Sequence, residues 1–230
     1  MAKTTTRRRT PAAPPRPAAK APSRAADADT ERRILDAARQ VFIQRGTAGA
    51  RMQEIAAEAG VNQALLHYYF RSKDALALAV FREAAGRLFP VLMRILGSDQ
   101  PLATRITQCV HHYIDTLREH PFLPGYVLAE LTFHPERIDT LVEQMGGTQA
   151  REAMQATVAQ LDRELARAAR AREIRPMRAQ QFIANLASLC VFPFAARPML
   201  RHILGVDDWD RFLDARRRDL PEFILNALRP

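Results

Sequence analysis

The chain has 230 residues, of which 47% are hydrophobic, and it contains only 9 glycines. This length allows one large domain or two modest ones, and the composition favours helices around an apolar core. The formal net charge of +9 suits a polyanionic partner. Two cysteines are too few for a disulfide framework, and the longest apolar run, residues 182–196, is too short for a membrane span. We therefore expect a cytoplasmic protein that does not enter a membrane.

Residues 1–29 are rich in proline, alanine and basic side chains and show no apolar period. Such a segment buries too little surface to offset the entropy of ordering, so we predict a disordered tail. Its basic excess would strengthen DNA binding without sequence preference. A solvated tail with no dedicated role is an equal alternative.

The folded part is predicted to begin at Thr30, which can cap an amphipathic helix that ends at Gly46. The apolar positions of this helix recur at helical spacing: Ile34, Leu35, Ala38, Val41 and Phe42. An amphipathic helix needs a partner for its apolar face, and the next two predicted helices supply one.

Residues 51–70 form the pattern of a helix-turn-helix. Gly60 follows a short amphipathic helix at the position where a left-handed residue ends it, and Asn62 can cap the next helix. Leu66 and Phe70 anchor one side of that second helix. The other sides carry amide, imidazole and phenol groups, which suit a DNA major groove and its phosphates better than a core. Ser72 is then predicted to cap a long helix that ends at Gly97.

The stretch AGVNQALLHYYFRSKDAL, residues 59–76, resembles the tetracycline-repressor (TetR) family of bacterial transcriptional regulators. The resemblance covers residues 30–76. It implies an all-α protein with an N-terminal three-helix DNA-binding head at 30–76. It also implies a larger helical domain at 77–230 that dimerises and binds a small-molecule effector.

The same resemblance assigns DNA contacts. Gln63, Ala64 and Leu65 correspond to positions that meet base edges, and Tyr69 and Lys73 to positions that meet phosphates. Arg51 stands where the family commonly has a hydroxyl cap, so we expect it to contact phosphate instead. The complete predicted DNA-binding set is Arg51, Gln53, Asn62, Gln63, Ala64, Leu65, His67, Tyr68, Tyr69 and Lys73.

Beyond residue 101 the resemblance gives no residue-level guidance, but hydrophobic periodicity predicts further helices. They cover residues 102–119, 122–133, 136–145, 148–172, 178–204 with breaks at Pro193 and Pro198, and 208–228 with a kink or break near Pro221. About nine helices are expected in all, with the last two pairing across a dimer interface.

Two groups of apolar residues in this domain carry functional hypotheses. An apolar lining with an occasional polar group is typical of a small-ligand pocket. The predicted pocket comprises Tyr126, Phe133, Met154, Val158, Phe182, Asn185, Leu186 and Cys190. The predicted dimer interface comprises Leu189, Trp209, Phe212, Leu213 and Ile224, because these residues exceed what one helical layer readily hides.

The sequence contains no motif that indicates an enzyme, a cofactor site or a metal site. No glycine-rich phosphate loop, nucleophile elbow or zinc-protease motif occurs. His111 with Asp115, and Cys109 with His112, share helix faces, but neither pair supplies enough ligands for a closed metal site.

The sequence therefore predicts a homodimeric regulator, most simply a repressor, that leaves a palindromic operator when an apolar or amphipathic effector binds. The helix from Ser72 would transmit effector binding to the head. When bound to DNA the protein would be associated with the nucleoid. Two alternatives stay open: a helical small-molecule-binding protein without DNA function, and a constitutive, ligand-free DNA-binding dimer.

Overall fold

The computed structural model describes residues 24–133, 139, 142–143 and 146–230. Within these ranges the chain contains no β-strand, which confirms the all-α prediction. The helices are α1 (Arg24–Gly49), α2 (Met52–Glu58), α3 (Gln63–Tyr69), α4 (Lys73–Leu96), α5 (Leu102–Glu119), α6 (Leu123–Phe133), α7 (Gly147–Arg170), α8 (Ala179–Ala195), α9 (Arg197–Ile203) and α10 (Trp209–Leu228).

The first helix begins earlier than the sequence pattern indicates. The predicted cap at Thr30 is wrong, since its hydroxyl lies inside α1 and donates to the Ala26 carbonyl at 2.8 Å. Residues 24–29 are helical rather than disordered, because the alanines there are strong helix formers and Asp27 favours the first turn. The helix leaves helical geometry at Gly46, the predicted end, and its last turn follows that kink. The rest of the predicted tail, residues 1–23, lies outside the described residues.

Local capping follows the sequence closely. The side chains of three predicted caps accept the backbone N–H three residues ahead: Asn62 at 2.7 Å, Ser72 at 3.1 Å and Asp208 at 2.9 Å. Arg51 precedes α2 without a side-chain cap, as its lack of a hydroxyl predicts. Gly60 adopts φ +64°, the left-handed conformation that the turn between α2 and α3 requires.

Helix α5 lies at the centre of the larger domain. It packs against α4, α8 and α10, while α7 bridges α4 and α8, and α1 packs on α4 to attach the head. Consecutive turns of α5 bury apolar groups, which belong to one core that continues into the head. These groups are Ile106, Cys109, Val110, Tyr113, Ile114 and Leu117.

A buried arginine ties three helices together at the end of α4 that is remote from the head. Arg105 on α5 is only 1% exposed. Its Nη1 donates to the carbonyl of Leu96, the last residue of α4, at 2.7 Å, and its Nη2 pairs with Glu164 of α7. The guanidinium therefore joins α4, α5 and α7 at one point.

The proline-containing segments differ from expectation. Helix α8 passes through Pro193 and ends at Ala195, so the predicted break comes after that residue. Helix α10 continues through Pro221, where a kink or break is predicted. Of the helix predicted over residues 136–145, only 139 and 142–143 are described, and the remainder lies outside the described residues. No single described helix is long and apolar enough to cross a bilayer, and α8 with α9 meets that test only as a pair bent by 66°.

Candidate nucleic-acid interface

The outer face of α3 presents polar side chains to solvent. Gln63, Ala64 and His67 are exposed, and Tyr68 is 78% exposed. On the opposite side Leu66 is fully buried and anchors the helix to the head. The buried anchor orients α3 so that its amide, imidazole and phenol groups face away from the protein.

Two residues of the predicted DNA-binding set, Leu65 and Asn62, are less available for contact with DNA than their neighbours are. Leu65 is half-buried, so it offers a base edge less apolar surface than the sequence pattern suggests. Asn62 is exposed, but its side-chain oxygen is already used to cap α3. The exposed side of the start of α3 therefore consists mainly of Gln63 and Ala64.

Tyr69 contacts Asp27, a residue that the sequence pattern places in the tail. Its hydroxyl donates to Oδ1 of Asp27, on the first turn of α1, at 2.9 Å, and this hydrogen bond raises the pKa of Tyr69. The ring of Tyr68 meets that of Tyr69 edge to face at 5.3 Å. Tyr69 thus joins α3 to the beginning of α1. Because the partners are 42 positions apart, no local sequence signal reveals this contact.

Lys73 occupies a structural position at the start of α4. Its ammonium donates to the carbonyl oxygens of Ala48 at 3.0 Å and Ala50 at 3.3 Å, at the end of α1. An ammonium group has three N–H donors, so this arrangement leaves one for a phosphate. Lys73 therefore fixes α4 against α1 and still carries a positive charge at the edge of the α3 surface.

Further groups border α3. Arg51 and Gln53 are exposed at the start of α2, in keeping with their predicted role at the interface. Arg71, which is not in the DNA-binding set predicted from the sequence, is exposed in the loop between α3 and α4. Its place in the motif, directly after the recognition helix, is the signal that could have identified it. Arg51 precedes α3 in the chain and Arg71 and Lys73 follow it, so cations that suit phosphate contacts flank α3 in the sequence.

Replacing Asp27 by Asn should strengthen DNA binding. The substitution removes a negative charge next to the α3 surface and leaves Tyr69 a hydrogen-bond acceptor. We expect a gain of about 0.3–1 kcal/mol, up to about fivefold in affinity, that shrinks as salt is raised. Fluorescence anisotropy at two salt concentrations measures it. Asp207→Asn makes the same charge change at an exposed site before α10 and should have no effect. Equal gains for both variants would contradict the local explanation.

Two family models match this chain. A family model described as "Bacterial regulatory proteins, tetR family" matches residues 34–80, which span most of the head and the start of α4. A second, described as "Tetracyclin repressor-like, C-terminal domain", matches residues 103–221, more than half of the chain. The chain belongs to the TetR family. Members of this family are DNA-binding transcriptional regulators and not enzymes.

Individual relatives are similar over shorter regions. The regulator BetI of Rhizobium meliloti is 33% identical over 103 residues, covering 45% of this chain and 49% of BetI. A regulator of Mycobacterium tuberculosis, MT1294, is 34% identical over 94 residues, covering 41% of this chain and 46% of that protein. The match therefore spans about half the length of these curated relatives.

Solved structures of TetR-type regulators share the fold. A TetR/AcrR-family regulator from Thermobifida fusca superposes with a TM-score of 0.57 at 16% identity, covering 88% of this chain and 100% of the other. The fatty acid degradation regulator FadR from Bacillus halodurans gives 0.54 at 19% identity, covering 87% and 96%. At these identities the similarity concerns the fold alone.

The eight predicted effector-pocket residues do not line one cavity among the described residues, although Phe182, Asn185 and Leu186 border the same groove between α8 and α10. Phe182, Leu186 and Cys190 are core residues at 2% exposure or less, whereas Asn185 is exposed. The reason is the helical period, which turns Asn185 away from the face that holds its apolar neighbours. The other predicted pocket residues lie apart from these. Tyr126 packs on Phe81, whereas Met154 and Val158 line a separate groove beside α7. The side chain of Phe133 lies outside the described residues.

The predicted dimer interface also needs correction. Leu213 is 1% exposed within one protomer, so it has no surface left for a partner, whereas Ile224, at 6%, lines a groove between α8 and α10. Leu213 packs inward because α5 already covers that side of α10. Leu189, Trp209 and Phe212 are half-buried, and Trp209 stacks on Phe212 at 5.4 Å.

The pairs considered as metal ligands are otherwise engaged. Asp115 accepts two hydrogen bonds from Arg217, and His112 contacts the Arg87 carbonyl at 3.2 Å. Burial raises the pKa of Cys109 to about 12, so its thiol stays protonated. Across the described residues no three histidine, cysteine or acidic side chains converge on a common point.

Proposed function

We propose that this TetR-family regulator is a homodimeric repressor that reads a palindromic DNA operator with α3 in the major groove. The observation that supports this most strongly is the exposed Gln63–His67–Tyr68 face of α3, set on a buried Leu66 anchor. Its recognition helix has the polarity and exposure that base-edge contacts need. A dimer bound at a promoter would exclude the transcription machinery and so repress the gene. Such a protein would act in the cytoplasm, bound to the nucleoid.

The residues would divide their roles by chemistry. The Gln63 amide can pair bidentately with adenine, whereas Ala64 can contact a thymine methyl. Arg51, Arg71 and the free donor of Lys73 would hold phosphates and set the register without reading sequence. Tyr69, whose hydroxyl is bonded to Asp27, would act mainly by positioning α3.

The function is tested by selecting bound sequences from random duplexes with the full-length protein. We expect a palindromic site whose half-sites are about one or more helical turns apart, roughly 34 Å each, because two heads must bind one face of the duplex. Affinity should fall steeply with salt, as phosphate contacts require. A binding curve that shows no sequence preference and no salt dependence would contradict the proposal.

The dimer would use the outer faces of α8 and α10. Phe192 on α8 is 53% exposed and Phe223 on α10 is 60% exposed, although both are large aromatic residues. Between the two helices lies a groove of about 310 Å³, bordered by Leu189, Asn185 and Phe223. Packing of the same two helices from a second protomer would bury this surface symmetrically.

Phe223→Glu is expected to convert the dimer to a monomer at micromolar concentration, because the interface would then bury a charge without a partner. Sedimentation velocity measures the change, and operator affinity should fall with it. Ile203→Glu is the matched control, since Ile203 is 73% exposed on α9, away from the groove. A Phe223→Glu protein that remains dimeric would exclude this interface.

A further inference from the structure

A polar cleft lies at the end of the body where α4 finishes. It has a volume of about 610 Å³ and is formed by the loop between α4 and α5, the start of α5 and the last turns of α7. Helix α4 has 24 residues, so at about 1.5 Å per residue this cleft is roughly 36 Å from the head. It is therefore separate from the DNA-binding surface.

Positive charge in this cleft is only partly neutralised. Its lining includes Arg163, Arg167 and Arg170, which share one face of α7 and are exposed. Among the described residues no carboxylate pairs with any of these three guanidinium groups. Two acidic residues of the lining already have arginine partners: Glu164 pairs with Arg105, which also lines the cleft, and Asp162 pairs with Arg178.

The Asp162 carboxylate is unavailable for a second reason. It also accepts the backbone N–H of Ala179 at 2.9 Å, and this bond, with Arg178, lowers the pKa of Asp162. Asp99 is then the single acidic group of the lining without a described partner, so three free cations face one free anion. The exposed amides of Gln100 and Gln160 add neutral N–H donors.

The floor of the cleft contains an unused polar atom. Arg105 lines the cleft and is 1% exposed, and its Nε has no hydrogen-bond partner among the described residues. Arginines near the C-terminus of α7 would interact favourably with the helix dipole whatever the direction of their side chains. That role does not account for their convergence with a buried guanidinium and two amides.

We propose that this cleft is a binding site for a small multivalent oxyanion, carrying phosphate or several carboxylate groups. Guanidinium groups bind both anions through paired N–H donors, and the lining supplies several such groups within one cavity. The site differs in position and chemistry from the apolar interior pocket expected from the sequence.

An anion bound here would act on the helix that reaches the head. The bound anion would compete with Glu164 for the guanidinium of Arg105. That guanidinium also donates a hydrogen bond to the carbonyl of Leu96, the last residue of α4. A shift of that anchor would move α4 and, through Lys73, the end of α1. This regulatory role rests on the proposed DNA-binding function, whereas anion binding itself does not.

Calorimetry on the DNA-free, full-length protein tests the site. Pyrophosphate and citrate are titrated separately at constant ionic strength, with chloride as the reference. Binding of pyrophosphate alone would indicate a phosphate-bearing ligand, and binding of citrate alone a polycarboxylate. In either case R163Q/R167Q should weaken binding at least tenfold, while Arg201→Gln, an exposed charge change on α9, should not.

Two outcomes would overturn the site: no binding of either anion beyond that of chloride, or equal weakening by R163Q/R167Q and Arg201→Gln. Operator titration with and without the bound anion is then a separate measurement. Anion should weaken operator binding in the wild type more than in R163Q/R167Q at matched ionic strength. Failure to bind DNA without anion would contradict the proposed function and leave the calorimetric result intact.

Discussion

Replacing Arg105 by Met is expected to lower the free energy of unfolding by about 2–4 kcal/mol. The side chain is almost fully buried, and its loss leaves the Leu96 carbonyl and the Glu164 carboxylate without their partner. The Glu164 side chain is 28% exposed, so water can solvate part of its charge. The expected loss of unfolding free energy is therefore smaller than for a fully buried ion pair. Urea denaturation measures the effect at one fixed protein concentration, because a dimer gains apparent stability with concentration.

A surface ion pair provides the control for this prediction. Arg217 pairs with Asp115 through two hydrogen bonds, but the two side chains are 39% and 49% exposed. Arg217→Met should therefore cost no more than about 1 kcal/mol. The double variant R105M/E164M should recover much of the lost stability, because it removes the uncompensated carboxylate. Equal losses for Arg105→Met and Arg217→Met would show that burial of Arg105 contributes nothing.

Replacing Gln63 by Ala should relax operator preference at one position in each half-site. Gln63 is exposed at the start of α3, where a recognition helix meets base edges. A good bidentate amide–adenine pair discriminates by about 1–3 kcal/mol, roughly 5- to 150-fold between the preferred and the substituted base. Binding of a panel of operators with single base changes measures this difference. Because the substitution removes only exposed atoms, the thermal stability of the protein should be unchanged.

Gln53→Ala is the matched amide control. Gln53 is exposed on α2 rather than α3, where we expect a backbone contact. Its loss should weaken binding to every operator by a similar factor, without changing their order. If Gln63→Ala also weakened all operators equally, Gln63 would be a phosphate contact and another residue of α3 would read the base.

The parts of the structure that the sequence determined are those set by neighbours along the chain. The caps at Asn62, Ser72 and Asp208 each involve a backbone group three residues ahead, so residue type and position sufficed to predict them. The turn at Gly60 depends on one residue's freedom to adopt a positive φ. The buried and exposed sides of α3 were predictable for the same reason, because Leu66 and the polar groups around it divide by helical period.

What tertiary structure decided involves partners distant in sequence. The residues around Asp27 lack an apolar period, so the sequence places it in a disordered tail, whereas in the structure it lies in the first turn of α1 and accepts a hydrogen bond from Tyr69. Leu213 has the hydrophobicity of an interface residue but is 1% exposed, because hydrophobicity does not reveal whether an apolar face packs within the protomer or against another. In the arginine cleft, Glu164 pairs with Arg105, 59 positions away, and is therefore not available to neutralise the arginines of α7. Periodicity gives each helix its faces, but only packing decides what each face meets.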